Sequence, residues 1–128
     1  MNLNQVTLPS SDIDRSIDFY KRLGLILIVH GGDHYARFEC PEGHSTFSVH
    51  LQEPGSIQHG GVVYFEVEEL DDYVSTLQES GISFDSLPED KPWLWREAHL
   101  RDPDGNPIIL FKAGENRKNP PWRIQNSN

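Results

Sequence analysis

An internal repeat limits what this 128-residue chain can fold into more than any other feature, because two copies of one unit must adopt one architecture. At a constant spacing of 57 residues Val6 aligns with Val63, Leu8 with Phe65, Ile13 with Leu70 and Asp14 with Asp71. The match continues through Ile17 and Val74, Tyr20 and Leu77, Gly24 and Gly81, and Leu25 and Ile82. Each copy opens on an alternating strand, Gln5–Leu8 or Val62–Val67. A helix follows in each. Ser11 or Asp12 is the expected N-cap of the first, whose apolar face is Ile13, Ile17, Tyr20 and Leu23, and Gly24 stops it. Leu70, Tyr73, Val74 and Leu77 form the second face, and Gly81 is the stop. Three short strands then complete each copy: Leu25–His30, His34–Cys40 and Thr46–Gln52 in the first, and Ile82–Leu87, Leu94–Arg101 and Ile108–Lys112 in the second. The order is βαβββ twice, an α+β fold of two tandem modules (3–52 and 60–112) in one domain, 1–112, with a C-terminal tail, 113–128.

Composition excludes several classes of partner. With 11 Lys+Arg against 20 Asp+Glu the net charge is −9, the wrong sign for a protein that grips a nucleic-acid backbone. The one dense basic stretch, 116–123 (NRKNPPWR), reads as a solvated tail end. No apolar run approaches the roughly 20 residues of a membrane span. The start, MNLNQVTLPSSD, lacks the basic and apolar segments of a secretory signal. Cys40 is the only cysteine, which rules out an internal disulfide. A cytoplasmic protein with no nucleic-acid or membrane partner is expected.

A sheet with its helix on one face leaves the other face free, and two such sheets can curl into an open cup. Alternation assigns the lining. With Val6 and Leu8 under the helix, Gln5 and Thr7 face the cup, and with Phe47, Val49 and Leu51 in the core, Ser48 and His50 join them. In the second copy Val62, Tyr64, Glu66, Trp95, Glu97, His99, Ile109 and Phe111 take that side. Trp93 and Trp95 flank the entry to the seventh strand and are expected to face opposite sides.

Two segments carry a family likeness, SSDIDRSIDFYKRLGL after the first strand and REAHLRDPDGNPIILF before the last. With the duplication, they make the chain resemble the vicinal oxygen chelate superfamily of glyoxalases, extradiol dioxygenases and bleomycin-resistance proteins. KPWLWREAHLRDPDGN is most similar to the bleomycin-resistance-type branch. The resemblance implies a cup-shaped mixed sheet and, in the enzymes, one divalent metal held from the first and fourth strands of each module. Those positions fall here on Gln5, on His50 (or Ser48 if the register slips by two), on Val62 and on Ile109. Val and Ile offer no lone pair, so two of four ligands are missing, and His59 replaces Val62 only if the strand starts three residues earlier.

The resulting expectation is a protein that encloses an aromatic or cationic small molecule without a metal and without any other cofactor. Its ligand-binding residues would be Gln5, Thr7, His50, Tyr64, Glu66, Trp95, Glu97, His99 and Phe111. The resemblance further implies a homodimer. The alternative is a metal-dependent lyase, isomerase or dioxygenase with a displaced site drawn from Gln5, His50, Glu97 and His99; the last two also suit an acid–base pair or a bonded pair near the rim. His30, His34 and His44 sit near turns, Trp122 is expected to anchor the tail on its own chain or a partner subunit, and Asp102-Pro103-Asp104-Gly105 reads as a structural turn.

Overall fold

A computed structural model describes residues 1–125, so the last three residues of the expected tail lie outside the described residues. The elements run β1 (Gln5–Ser10), α1 (Ile13–Leu23), β2 (Ile26–Gly31), β3 (Tyr35–Glu39), β4 (Thr46–Leu51), β5 (Val63–Glu66), α2 (Leu70–Glu79), β6 (Ser86–Asp90), β7 (Arg96–Arg101) and β8 (Pro107–Lys112). They build two four-stranded sheets, ordered β1-β4-β3-β2 and β5-β8-β7-β6. Both are mixed: β1 runs parallel to β4 and β5 to β8, whereas β2–β3, β3–β4 and β6–β7 are antiparallel. This is the βαβββ order, twice, of an α+β fold. The chain divides into two compact units, Met1–Gly61 with Arg101–Pro107, and Val62–Leu100 with the residues from Ile108 onward.

In the first unit Asp12 is the N-cap of α1, accepting from the Arg15 backbone N–H at 3.1 Å. Gly24 ends the helix at φ 119°, a left-handed conformation that a Cβ would strain. Tyr20 sits fully buried on Phe38 and Phe47, with ring centroids 5.8 and 4.6 Å away. Such pairs add about 0.5–1.5 kcal/mol to what burial of the rings already contributes. Ser16, which the apolar spacing left out, is also buried, its hydroxyl 2.6 Å from that of Ser10.

The DPDGN turn belongs to this unit and performs the structural role expected of it. The buried Asp102 carboxylate accepts from Tyr20 Oη at 2.6 Å, from the backbone N–H of Asp104 and Asn106, and from Asn106 Nδ2. Four donors satisfy a charge that burial alone would penalise. Asp104 accepts from the Ser11 backbone N–H and hydroxyl and from Arg15, tying the turn to the start of α1.

In the second unit Leu70, Val74 and Leu77 of α2 are buried, as are Ala98 and Leu100 of β7 and Ile108 and Leu110 of β8. The sixth strand is displaced from its expected place: residues 82–85 are not strand, and β6 begins at Ser86. Ile82 is buried just after the helix, its N–H bonded to Leu77 O, so its apolar character serves the helix end rather than a strand face. Before β7, Leu94 adopts a positive φ of 68°, which interrupts strand alternation between the two tryptophans.

Candidate functional site

Pairing puts Gln5, Thr7, Thr46, Ser48, His50, Tyr35, Arg37 and Glu39 on one face of the first sheet, because Thr7 lies opposite Ser48, Ser48 opposite Arg37 and His50 opposite Tyr35. The other face holds the Phe38 and Phe47 core. Sequence alternation also put Gln5, Thr7, Ser48 and His50 together on one face, opposite the core residues. Gln5 Nε2 donates to Ser48 Oγ at 2.6 Å, Thr7 Oγ1 lies 2.7 Å from that hydroxyl, and Thr46 donates to Gln5 Oε1. The Ser48 hydroxyl at the centre of these bonds is fully buried.

These contacts test the family's metal centre. Both ends of the Gln5 amide are engaged by neighbours, Val62 and Ile109 carry no donor atom, and β5 starts at Val63. His59 does not stand in for Val62: its Nε2 lies 2.9 Å from Asp104 O in the first unit. Among the described residues no group of three His, Cys, Asp or Glu is placed to hold an ion. The residues present do not fit the superfamily's metal site.

Two residues on this face escaped the sequence reading. Arg37 Nε donates to Tyr35 Oη at 2.8 Å, with the guanidinium carbon 5.4 Å from the Tyr35 ring centroid, and the His50 ring stands edge-on at 6.3 Å. Burial pushes the Tyr35 phenol up, but hydrogen bonds from Ser48 and Arg37 outweigh it and hold the group below the usual tyrosine range. Both positions were readable, since Ala36 and Phe38 are the core set of β3 and Tyr35 and Arg37 alternate with them.

On the second sheet Tyr64 lies opposite Ile109 and Glu66 opposite Phe111. Trp95 stacks on Phe111 at 4.6 Å with 20° between planes, and Tyr64 meets both rings edge-on at 5.8 and 5.7 Å. Tyr64 is 47% exposed whereas Phe111 is buried. Beside this cluster the buried Glu97 accepts from the Trp93 indole N–H at 2.7 Å and lies 2.9 Å from His99 Nε2. The rim pair considered from sequence is thus a buried carboxylate with a more exposed histidine.

The two tryptophans do not face opposite sides as expected. The positive φ at Leu94 lets Trp93 turn back to Glu97, which shares its strand face with Trp95. Glu66 is committed within its own unit: one carboxylate oxygen accepts from the Ala113 and Gly114 backbone N–H groups at 2.9 and 3.0 Å, and the other lies 3.9 Å from Arg117 Nε. Trp95 Nε1 donates to Asn116 O at 3.3 Å. The tail's first residues therefore lie against the aromatic cluster, a contact with no signature in the sequence pattern. Trp122, expected to anchor the tail on its own chain or a partner subunit, is 57% exposed among the described residues.

Comparison with known proteins agrees with this architecture. The family model for the Glyoxalase/Bleomycin resistance protein/Dioxygenase superfamily matches residues 2–110. The uncharacterized protein YraH of Bacillus subtilis (strain 168) is 33% identical over 126 residues, covering 88% of this chain and 98% of its own. Among solved structures, TnmS3, an antibiotic binding protein from Streptomyces sp. CB03234, superposes with a TM-score of 0.75 at 24% identity, covering 88% of this chain and 96% of its own. A bleomycin-binding protein complexed with bleomycin superposes with a TM-score of 0.67 at 20% identity, covering 88% and 98%. At these identities the two structures establish the shared fold.

Proposed function

The chain belongs to the Glyoxalase/Bleomycin resistance protein/Dioxygenase superfamily, and we propose that it binds a small organic molecule directly, with no metal as intermediary, taking an aromatic or cationic ligand against the aromatic face of its second sheet. The stacked Trp95–Phe111 pair with Tyr64 at its edge carries this proposal. Ring faces attract cations as well as other rings, and the attraction grows where water is excluded. The buried Glu97, two residues along the chain from Trp95, adds an acidic side chain to the same segment. Two relatives in fold are described as an antibiotic binding protein and a bleomycin-binding protein, which is consistent with direct ligand binding.

The test is a titration of chelator-treated protein with planar aromatic cations and their neutral isosteres, followed by tryptophan fluorescence. Saturable binding that favours the cations is expected, with Trp95→Ala weakening it by at least about tenfold, or about 1.4 kcal/mol. Unchanged affinity in Trp95→Ala would remove the site from consideration. A stoichiometric divalent ion required for binding would overturn its metal-free character.

Glu97···His99 at 2.9 Å favours a second reading, catalysis by a lyase or isomerase with His99 moving a proton and Glu97 orienting it. Loss of turnover in His99→Ala with dye affinity intact would select that reading. The proposal also makes the working species a cytoplasmic homodimer. Ile26 and Ile28, each 46% exposed on edge strand β2, support a partner there, and the free Cys40 suits a reducing compartment. Light scattering measures the first point.

A further inference from the structure

Arg37 is half-buried in the middle of β3, and its only hydrogen bond among the described residues leaves through Nε to Tyr35. Among the described residues the two terminal guanidinium nitrogens have no carboxylate partner, in a chain whose acidic residues outnumber its basic ones by 20 to 11. Other arginines of the chain do pair: Arg15 with Asp104, Arg96 with Asp71 and Asp90, Arg22 with Asp18. The groups around Arg37 on its sheet face are the neutral hydroxyls of Tyr35, Ser48 and Thr7 and the His50 ring. Glu39, the one carboxylate on that face of the strands, is exposed at the end of β3 and forms no ion pair with it. A partly desolvated guanidinium with a free two-nitrogen fork, ringed by hydroxyl groups and no countercharge, has the chemistry of a receptor for oxyanions.

We propose that Arg37, with the Tyr35 hydroxyl, forms a binding site for an anionic oxygen group of a small molecule, a carboxylate or a phosphate, on the face of the first sheet that carries Gln5, Thr7 and His50. The guanidinium donates two parallel N–H bonds to two oxygens of the anion. The lowered titration of Tyr35 agrees with net positive potential at this spot. The site is built wholly within the first unit.

The experiment follows the side-chain NMR signals of Arg37 in the full chain at constant ionic strength, titrating inorganic phosphate in one arm and benzoate in the other, with chloride as reference. A saturable shift of the Arg37 signals in either arm, absent with chloride, is expected, and the arm that saturates first identifies the anion class. Arg37→Lys, which keeps the charge but loses the fork, is expected to weaken binding about tenfold, and Arg37→Gln to abolish it. Shifts no larger than those with chloride in both arms would overturn the proposal, as would full affinity in Arg37→Gln. Because the wild-type titration needs no substitution, a variant that fails to fold does not blunt the test.

Discussion

Tyr20 and Tyr35 show one residue type driven in opposite directions by its surroundings. Tyr20 is held far above the ordinary tyrosine range, first by burial and then by the Asp102 carboxylate that accepts its proton at 2.6 Å. Folding therefore favours its neutral form. That contribution is complete below about pH 10, the unfolded value, and is lost as pH rises toward the native one. Tyr35, held low, contributes with the reverse sign, present above its unfolded value and lost as pH falls through its native one. Tyr20→Phe removes the first dependence and leaves the second. At pH 7 the variant should be less stable by about 1–3 kcal/mol, because Asp102 loses one of its donors. Above pH 10 its urea midpoint should decline more slowly than that of the wild type. Parallel declines for the two proteins over that alkaline window would contradict the assignment.

At the level of elements, the two modules share a pattern but not its capping. Asp12 bonds the Arg15 N–H at the start of α1, whereas Glu69, at the same place before α2, makes no side-chain cap bond. Asp12→Ala should cost about 1 kcal/mol, Glu69→Ala close to nothing, and Glu69→Ser should gain about 0.5 kcal/mol, all read from urea unfolding. Equal losses for the two alanine variants would deny the difference in capping. The repeat made both helices legible, since Ile13 and Leu70 begin them at the spacing of 57 found in sequence. Strand faces were equally legible wherever alternation held: Gln5, Thr7 and His50 share one face, and Tyr64, Glu66 and Phe111 another. The sixth strand was not, because its sequence, SLPED, has little strand character and forms an edge only through its pairing with β7. The apolar Ile82 drew the expected strand toward the helix end it actually seals. Trp93 was misplaced for a backbone reason, the positive φ at Leu94, which no hydrophobic pattern reports. Bonds formed by the tail's backbone with Glu66 and Trp95 are equally invisible to periodicity, because main-chain groups are common to every residue type.

For the molecule as a whole, those tail bonds connect the charge of −9 to ligand binding. Residues 113–117 engage Glu66 through two backbone N–H groups and an ion pair with Arg117, and occupy the Trp95 indole N–H. Removing everything after Lys112 deletes three cations, Arg117, Lys118 and Arg123, and a single carboxylate, Glu115. The shortened chain is more acidic and presents Glu66 and Trp95 without their partners. If the aromatic face is the ligand site, a planar aromatic cation should then bind several-fold more tightly at low salt. The gain should shrink as ionic strength rises toward 0.15 M, where the Debye length is about 8 Å. Replacing Glu66 by Gln in the shortened chain should cancel most of that gain, since it removes the newly freed charge while keeping a polar side chain. A neutral isostere of the same ring system should respond little to either change. Equal gains for cation and isostere would mean that the tail acts by covering the rings alone, and no gain for either would place the ligand away from Trp95.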